Sequence, residues 1–261
     1  MRSKRLISLL VAVCMMITML PLSAVTAFAA DTSTVHEAKD GEGIYRYAYK
    51  ENEDGETVTI TEFLGPVDPA NNGPYDIEIP TELDHHPVTG LGEYSFSGTY
   101  SPDHQTNHNL ISFCNQIQSV TIPESVTSIG KSAFEHCSKL DSLTIKGVAT
   151  SIGAYAFASC TSLTSLSLVG NFQTIGEQAF AYCGMTSLTT DADITSIGEY
   201  AFSHCTSLTS LSLTGSVQTI GYQAFACCTS LTSLSLTGDI QKIGDYAFGY
   251  CSSLYLSLIH I

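Results

Sequence analysis

A unit of about 23 residues recurs along most of the chain and constrains its fold more than any other feature. The glycines that follow isoleucine in this unit lie 23, 23, 22, 23 and 23 residues apart. A phenylalanine four residues later and a cysteine seven residues later keep the same spacing. One such unit cannot bury its apolar side alone, but stacked units share a continuous core. The repeat therefore predicts a solenoid, with its glycines at Gly130, Gly153, Gly176, Gly198, Gly221 and Gly244.

Two alternating segments and one turn are predicted within each unit. Between Leu208 and Leu213, leucines are interspersed with Ser and Thr, a pattern typical of a short strand with one buried face. A second segment, Val217 to Ile220, leads into Gly221, where the missing Cβ permits a turn or a close backbone approach. The following Ala-Phe-x-x-Cys is too short for an independent helix, so we expect a single turn that buries Phe and Cys under the next coil. The predicted fold class is a repeat solenoid, mostly β, with a parallel sheet and short helical turns.

The segment before the regular units is interpreted as a degenerate first repeat behind a cap. DIEIPTELDHHPVTGLGEYSFSG aligns with the unit if Gly92 is its glycine and Phe96 its phenylalanine. Residues of about 97–112 then form an inserted loop. Further upstream, two alternating segments flank Asp54-Gly55, a common hairpin signal. We predict an N-terminal β-hairpin cap over 43–75, because the end of a solenoid needs protection.

The first 29 residues have the layout of a secretory signal peptide. Basic residues precede an apolar run that is interrupted at Pro21, and the small residues Ala27 and Ala29 mark a cleavage site near Ala29. The alternative, a membrane anchor, is disfavoured because the run is shorter than the roughly 20 residues that a spanning helix needs. Lipidation at Cys14 is disfavoured by Val13, since that cleavage needs a small residue before the cysteine. We therefore expect an exported chain.

The charge of the exported chain limits its partners. It would keep all 25 acidic residues but only seven of the ten basic ones, a formal net charge of −18. Nucleic acids and anionic lipids bind basic surfaces, so both are disfavoured as partners. No later segment is apolar and long enough to span a membrane. The sequence also lacks a phosphate-binding glycine loop, a Gly-x-Ser-x-Gly elbow and a paired-carboxylate site, so we expect neither catalytic residues nor a cofactor.

The motif IPESVTSIGKSAFEHC at 122–137 resembles the bacterial surface-antigen class of leucine-rich repeats, the BspA-like proteins. The resemblance covers about Tyr45 to Leu254. It departs from the pattern where Gly or Lys replaces Pro123 in later units, and at the inserted loop. The resemblance implies a right-handed leucine-rich-repeat stack in a secreted or wall-attached bacterial protein, without catalytic residues in the repeats. It also implies adhesion to, or recognition of, host or bacterial proteins or glycans.

Seven regularly spaced cysteines, from Cys114 to Cys251, allow two interpretations. Stacked coils would hold successive Cα atoms about 4.8 Å apart, a separation that a disulfide accepts. Because the side chains would all point the same way and their number is odd, we favour a ladder of buried free thiols. Zinc is disfavoured because CxxC pairs with matching His spacing are missing. The equivalents of Cys227 are polar and variable, so we expect an exposed thiol there, either reactive or accidental.

A few histidines could take part in a metal site. Asp103, His104 and His108 fall within the inserted loop, and His85 is followed directly by His86. Asp and His at such separations can converge on one ion. Loop residues without any ligand role are the simpler interpretation, so we expect no metal site.

The candidate binding surface has two parts. The first consists of outward strand positions such as Thr164, Ser165 and Ser167, with their stacked equivalents. The second is a stripe of aromatic side chains beside it, better suited to a protein or glycan contact. These tyrosines are Tyr155, Tyr200, Tyr222 and Tyr246. They would equally pack against the neighbouring coil. The expected ligand is a protein or glycan on a host or bacterial surface.

The last residues break the pattern of the repeats. CSSLYLSLIHI stands where the earlier units would continue close to CSSLTSLTI, so we interpret 256–261 as a non-native tail. The expected organisation is then a flexible segment over 30–42, the cap, and leucine-rich repeats over 76–255. The first functional hypothesis is a secreted or cell-surface adhesion and recognition module. The alternative is the accessory repeat region of a larger exported enzyme, a peptidase or glycan hydrolase, and a structural spacer is a third.

Overall fold

The computed structural model describes residues 35–97, 113–237, 239–255 and 259–260. The predicted signal peptide and nearly all of the inserted loop, with Asp103, His104 and His108, lie outside the described residues. Among the described residues, no helix is long and apolar enough to cross a membrane.

The described residues form strands almost exclusively, arranged as one 13-stranded sheet and one four-stranded sheet. The strands are β1 (His36–Lys39), β2 (Tyr45–Glu51), β3 (Val58–Pro66), β4 (Tyr75–Glu78), β5 (Glu82–Leu83), β6 (His86–Leu91), β7 (Ile117–Ile122), β8 (Ser128–Ile129), β9 (Ser142–Ile152), β10 (Ser165–Ile175), β11 (Ser187–Thr190), β12 (Asp193–Ile197), β13 (Ser210–Leu213), β14 (Val217–Ile220), β15 (Ser233–Leu236), β16 (Lys242–Ile243) and β17 (Ile259–His260).

Strands at equivalent positions of successive repeats pair in parallel and in register. In the smaller sheet, Leu188 of β11 lies beside Leu211 of β13, which lies beside Leu234 of β15. In the larger sheet, Ile197 pairs with Ile220 in the same way. Residues one repeat apart are therefore stacked on one another, which confirms the predicted parallel, mostly β solenoid. In β9 and β10 the two segments of a coil join into single strands of 11 residues.

The core is a set of columns built from the alternating apolar residues. The repeat phenylalanines form the largest column, with successive ring centroids 4.6 to 5.4 Å apart and ring planes within 14° of parallel. Its members are Phe96, Phe134, Phe157, Phe180, Phe202, Phe225 and Phe248. Phe63 of β3 stacks on Phe96 at 5.3 Å, so the column extends into the cap. The alignment of Phe96 with the repeat phenylalanines is thereby confirmed.

The third side of each coil is a run of tight turns, not a strand. Two non-glycine residues per coil adopt the left-handed conformation there, for example Tyr155 with φ 59° and Ser159 with φ 59°. Alternate amides of the run donate to the next coil, as from Phe157 to the carbonyl of Ala179 at 2.8 Å. The predicted single turn that buries Phe225 and Cys228 is confirmed, since both are fully buried.

Three antiparallel strands precede the first coil. β2 and β3 form a hairpin, and β1 pairs with β2 along its whole length. The expectation of a flexible segment over 30–42 is wrong at His36–Lys39, which is β1. The physical reason is that Ala38 is buried between the strands, while the Gly41 to Gly43 turn lets the chain reverse. The interior of this region is aromatic, with Tyr45, Tyr47, Phe63 and Tyr75 in mutual contact.

The cysteine column is only partly the expected ladder of free thiols. Cys114 and Cys137 form a disulfide with their Cα atoms 5.1 Å apart, so the interpretation as free thiols is wrong for this first pair. Stacking alone brings two successive Cα atoms into the range that a disulfide requires. The remaining members of the column are buried free thiols: Cys160, Cys183, Cys205, Cys228 and Cys251.

Candidate binding surface

The smaller sheet and the first halves of β9 and β10 present a face of hydroxyl groups. Thr164 and Ser165 are exposed and Ser167 is half-buried, as expected for outward positions. In-register stacking extends each of them into a column, such as Ser187, Ser210 and Ser233. Part of this hydroxyl capacity is used internally, since the Thr209 hydroxyl donates to the carbonyl of Thr186 at 2.9 Å. The resulting face is regular and polar.

Three of the four predicted tyrosines form a continuous row on another part of the surface. The Tyr222 ring meets the Tyr200 ring edge-on at a centroid distance of 5.4 Å and the Tyr246 ring at 6.3 Å. Tyr200 and Tyr246 occupy the second position after their repeat glycines, whereas Tyr222 occupies the first. Tyr222 thereby fills the coil in which the second position is Gln223, whose amide donates to the Tyr222 hydroxyl at 2.9 Å. We call Tyr200, Tyr222 and Tyr246 the tyrosine row.

Tyr155 stands apart from this row. Gln178 occupies the equivalent position of the next coil, and its amide donates to the Tyr155 hydroxyl at 2.9 Å. The Tyr155 hydroxyl in turn donates to the Glu177 carboxylate at 3.4 Å. Desolvation, then the charge of Glu177, raise the pKa of Tyr155, so it stays a neutral hydrogen-bonding group. The structure therefore divides the predicted stripe into one isolated tyrosine and one group of three.

The tyrosines are both packed and accessible. Tyr200 and Tyr222 are half-buried by their neighbours, whereas Tyr246 is 65% exposed. Desolvation by surrounding atoms, followed by Tyr222, raises the pKa of Tyr200. The two interpretations left open by the sequence, coil packing and ligand contact, are compatible at these positions.

A shallow groove of about 410 Å³ runs beside the tyrosine row. Its floor is the column of repeat glycines at Gly198, Gly221 and Gly244. One side carries Glu199, Tyr222 and Asp245, and the other carries second-strand residues, namely Ser196, Thr219 and Lys242. Sequence reasoning missed these second-strand groups because Ser and Thr at outward positions look alike on both strands of a repeat.

The structure does not bring the two predicted parts of the surface together. Thr164, Ser165 and Ser167 belong to the first segment of a coil, whereas each tyrosine follows the second segment. The second-strand segments lie between them along the chain, so the hydroxyl face and the tyrosine row are separate surfaces. The groove belongs to the tyrosine row alone.

The cysteines and histidines offer little chemistry in the described part of the chain. Burial raises the pKa of the Cys160 and Cys205 thiols to about 12, so both stay protonated and unreactive. Each of the five buried free thiols contacts the carbonyl of a phenylalanine one coil back, as Cys160 does with Phe134 at 3.3 Å. Cys227 is only partly exposed. Among the described residues, no group of three or more His, Cys, Asp or Glu is placed to hold a metal ion.

The fold is shared with solved bacterial structures. A leucine-rich repeat protein from Bacteroides ovatus matches with 26% identity and a TM-score of 0.60 over 82% of this chain and 51% of its own. A leucine-rich repeat protein of T. pallidum matches with 23% identity and a TM-score of 0.65, over 85% of this chain and 92% of its own. The chain thus spans about half the length of the Bacteroides protein. No curated protein matches the chain significantly.

The repeats also match a family model. The model for the BspA type leucine rich repeat region matches six copies, over residues 77–193 and 173–259. These ranges contain the glycine, phenylalanine and cysteine columns from the first degenerate repeat onward. The chain therefore belongs to the BspA-type leucine-rich repeat family.

Proposed function

We propose that this chain is a non-catalytic recognition module, exported to the cell surface or beyond, whose tyrosine row binds a protein or glycan ligand. The observation that carries the proposal is the contiguity of Tyr200, Tyr222 and Tyr246 along the edge of a groove. Exposed aromatic side chains aligned at regular spacing are uncommon on a surface otherwise covered by Ser and Thr. Leucine-rich repeat proteins generally bind other proteins, which supports the same assignment.

The physical advantage of the row is its rigidity. A tyrosine supplies a large contact area through only two side-chain torsions, so little entropy is lost when a ligand binds. Here the rings already restrain one another through edge contacts, and Gln223 holds the Tyr222 hydroxyl. Tyrosine is also enriched among the residues that dominate binding energy at interfaces. The groove beside the row adds both carboxylates and the ammonium of Lys242 for polar contacts.

The proposal is tested by screening the protein against immobilised host matrix proteins and bacterial surface glycans, followed by affinity measurement for each ligand found. We expect the variant Tyr200→Ser/Tyr222→Ser/Tyr246→Ser to bind at least about tenfold more weakly, since tyrosine anchors contribute roughly 2 kcal/mol or more. The matched control is Tyr182→Ser/Tyr250→Ser. These two tyrosines are 50% and 72% exposed but lie outside the row.

Three outcomes distinguish the candidate surfaces. Loss in the row variant with unchanged binding in the control supports the proposal. Loss only in a Thr164→Ala/Ser165→Ala/Ser167→Ala variant would move the site to the hydroxyl face and contradict it. A screen that returns no ligand at all would favour a structural spacer.

A further inference from the structure

A second, chemically different cleft lies at the opposite end of the described chain, in the cap. Its volume is about 660 Å³, within the range of small-molecule sites. It is lined by residues from four separate segments: Lys39 and Arg46, Pro66 to Asn72, Tyr75, and Phe113 with Gln116. None of these residues contributes to the tyrosine row or to the hydroxyl face.

Two cations stand directly opposite each other in this cleft. Lys39 of β1 and Arg46 of β2 are paired in the strand register, so their side chains project from the same face of the sheet. Like charges in this arrangement destabilise a sheet. In the described part of the chain, neither cation forms an ion pair. Such a costly juxtaposition on a molecule with a net charge of −15 calls for an anionic partner.

Carboxylates on neighbouring segments are engaged elsewhere. Asp40 accepts the backbone amides of Ile44 and Tyr45 at 2.7 and 3.0 Å. Asp68 accepts the amide of Ala70 at 2.8 Å. The Arg46 guanidinium contacts one backbone carbonyl, that of Leu64, at 3.3 Å, so most of its five donors are left for a ligand.

An apolar wall stands beside the cations. In the sheet register Arg46 lies opposite Gly65 of β3, and the Phe113 ring packs directly on this glycine. A Cβ at Gly65 would lie 2.5 Å from the ring, so only glycine admits Phe113 here. Phe113 also meets the Tyr75 ring at a centroid distance of 6.2 Å. The cleft thus places a half-buried aromatic ring next to a guanidinium.

Amide side chains complete the cleft. Asn71 and Asn72 lie on the loop between β3 and β4, and this loop is held in shape by its own hydrogen bonds. The Asn71 side chain accepts the Gly73 amide at 3.1 Å, and the Tyr75 hydroxyl donates to the Asn71 carbonyl at 3.1 Å. The Gln116 side-chain oxygen accepts from Lys139 at 3.1 Å, which brings a third cation to the edge of the cleft.

We propose that this cleft binds an acidic sugar, a glycan end that carries a single carboxylate. The guanidinium of Arg46 and the ammonium of Lys39 receive the carboxylate, and an arginine can do so through two parallel hydrogen bonds. The amides of Asn71, Asn72 and Gln116 bind ring hydroxyls, and the apolar face of the sugar lies against Phe113 and the flanking prolines. A long polyanion is disfavoured because the rest of this acidic molecule repels it.

The test uses a glucuronate-terminated disaccharide and its methyl ester, titrated into the purified protein by calorimetry and by NMR of the asparagine side-chain amides. We expect the acid to bind at least about tenfold more tightly than the ester, because charge-assisted hydrogen bonds contribute about 1.5–3 kcal/mol. Arg46→Gln should lower the affinity for the acid by a similar factor and leave the affinity for the ester unchanged. The signals of Asn71 and Asn72 should shift on addition of the acid.

The matched control is Lys146→Gln, which removes one exposed cation from β9, outside the cleft. Its affinity for the acid should equal that of the unmodified protein. Equal binding of acid and ester, an equal loss in Lys146→Gln, or no binding of the acid to folded protein would each overturn the proposal. A triglutamate peptide that binds as tightly as the disaccharide would overturn it as well. The tyrosine-row variant should keep this binding, so failure here leaves the proposed function untouched.

Discussion

At the scale of single residues, the repeat glycines are required by how closely neighbouring coils approach. A Cβ on Gly176 would lie 2.6 Å from the carbonyl carbon of Gly153 and 2.7 Å from the amide nitrogen of Ala154. Backbone atoms cannot move aside as the end of a flexible side chain can. Of the two roles that the sequence left open for these glycines, a turn or a close approach, the structure shows the close approach.

Replacement of Gly176 by alanine should therefore push two coils apart. We expect Gly176→Ala to lower the free energy of unfolding by about 1–3 kcal/mol, the usual cost of overfilling a packed site. Urea unfolding followed by circular dichroism measures the change. Gly41→Ala is the control, because a Cβ there meets no atom within 4 Å, and its effect should stay within about 0.5 kcal/mol. Equal losses in the two variants would contradict the role given to coil contact.

Residues that repeat could be predicted from the sequence, and residues that do not repeat could not. The glycine and phenylalanine columns follow directly from periodic spacing. The disulfide does not, because Cys114 and Cys137 are spaced like the later pairs, which stay reduced. The cleft in the cap was missed for a related reason. Lys39, Arg46 and Phe113 lie far apart in the chain, and only the cap folding brings them together.

At the scale of structural elements, the phenylalanine column holds the coils in register. Phe180 lies 5.2 Å from both Phe157 and Phe202, and the three rings are within 6° of parallel. Because touching carbon atoms lie about 3.5–4.0 Å apart, rings at this centroid distance are displaced sideways, the offset stacking that aromatic rings prefer. Each ring thereby contacts the coils on both sides.

The position of a ring in the column should decide the cost of losing it. Phe180→Ala should lower the free energy of unfolding by about 3–5 kcal/mol, since a fully buried aromatic side chain leaves a cavity between two coils. Phe248→Ala should cost clearly less, because Phe248 is half-buried and stacks on Phe225 alone. Thermal unfolding of both variants checks the order. A larger loss at Phe248 would show that the column does not stabilise the coils as described.

Strands with strong alternation were predictable, and the weakly patterned ones were not. The two-strand repeat appears as expected in β13 and β14. β1 was missed because His36–Lys39 contains one apolar residue, Ala38, and its pairing with β2 comes from tertiary contact. The left-handed residues of the turns were also not foreseen. Tyr, Ser, Gln and His occupy those positions, and none of these residue types by itself signals a positive φ.

At the scale of the whole molecule, stability is passed between neighbouring coils and not across the full stack. The Cys114–Cys137 disulfide closes a 23-residue separation between two successive repeats. In the chain-entropy description a loop of this length stabilises the fold by about 3 kcal/mol. Its contribution should be local, because contacts beyond the adjacent coil are absent from a solenoid of this kind.

Reduction of the disulfide should therefore loosen one end of the molecule only. With reductant present, we expect faster amide hydrogen exchange in β4 and β7, and unchanged exchange in β13 to β16. Mass spectrometry of exchanged peptides resolves the two regions, and non-reducing peptide mapping confirms the Cys114–Cys137 link. Cys227→Ala, measured under the same conditions, controls for chemistry at the partly exposed thiol. Uniform acceleration along the chain would contradict nearest-neighbour coupling.

The in-register stacking of equivalent residues also bears on how such a gene can change. The segment TSLTSLSLTG occurs identically at 206–215 and at 229–238, so unequal recombination between these stretches would add or delete 23 codons at once. The product would keep every column and both sheets, and its length would change by about 4.8 Å per unit. A lineage could therefore lengthen the surface it presents without redesigning its core, and the cleft in the cap would pass through each such event unaltered.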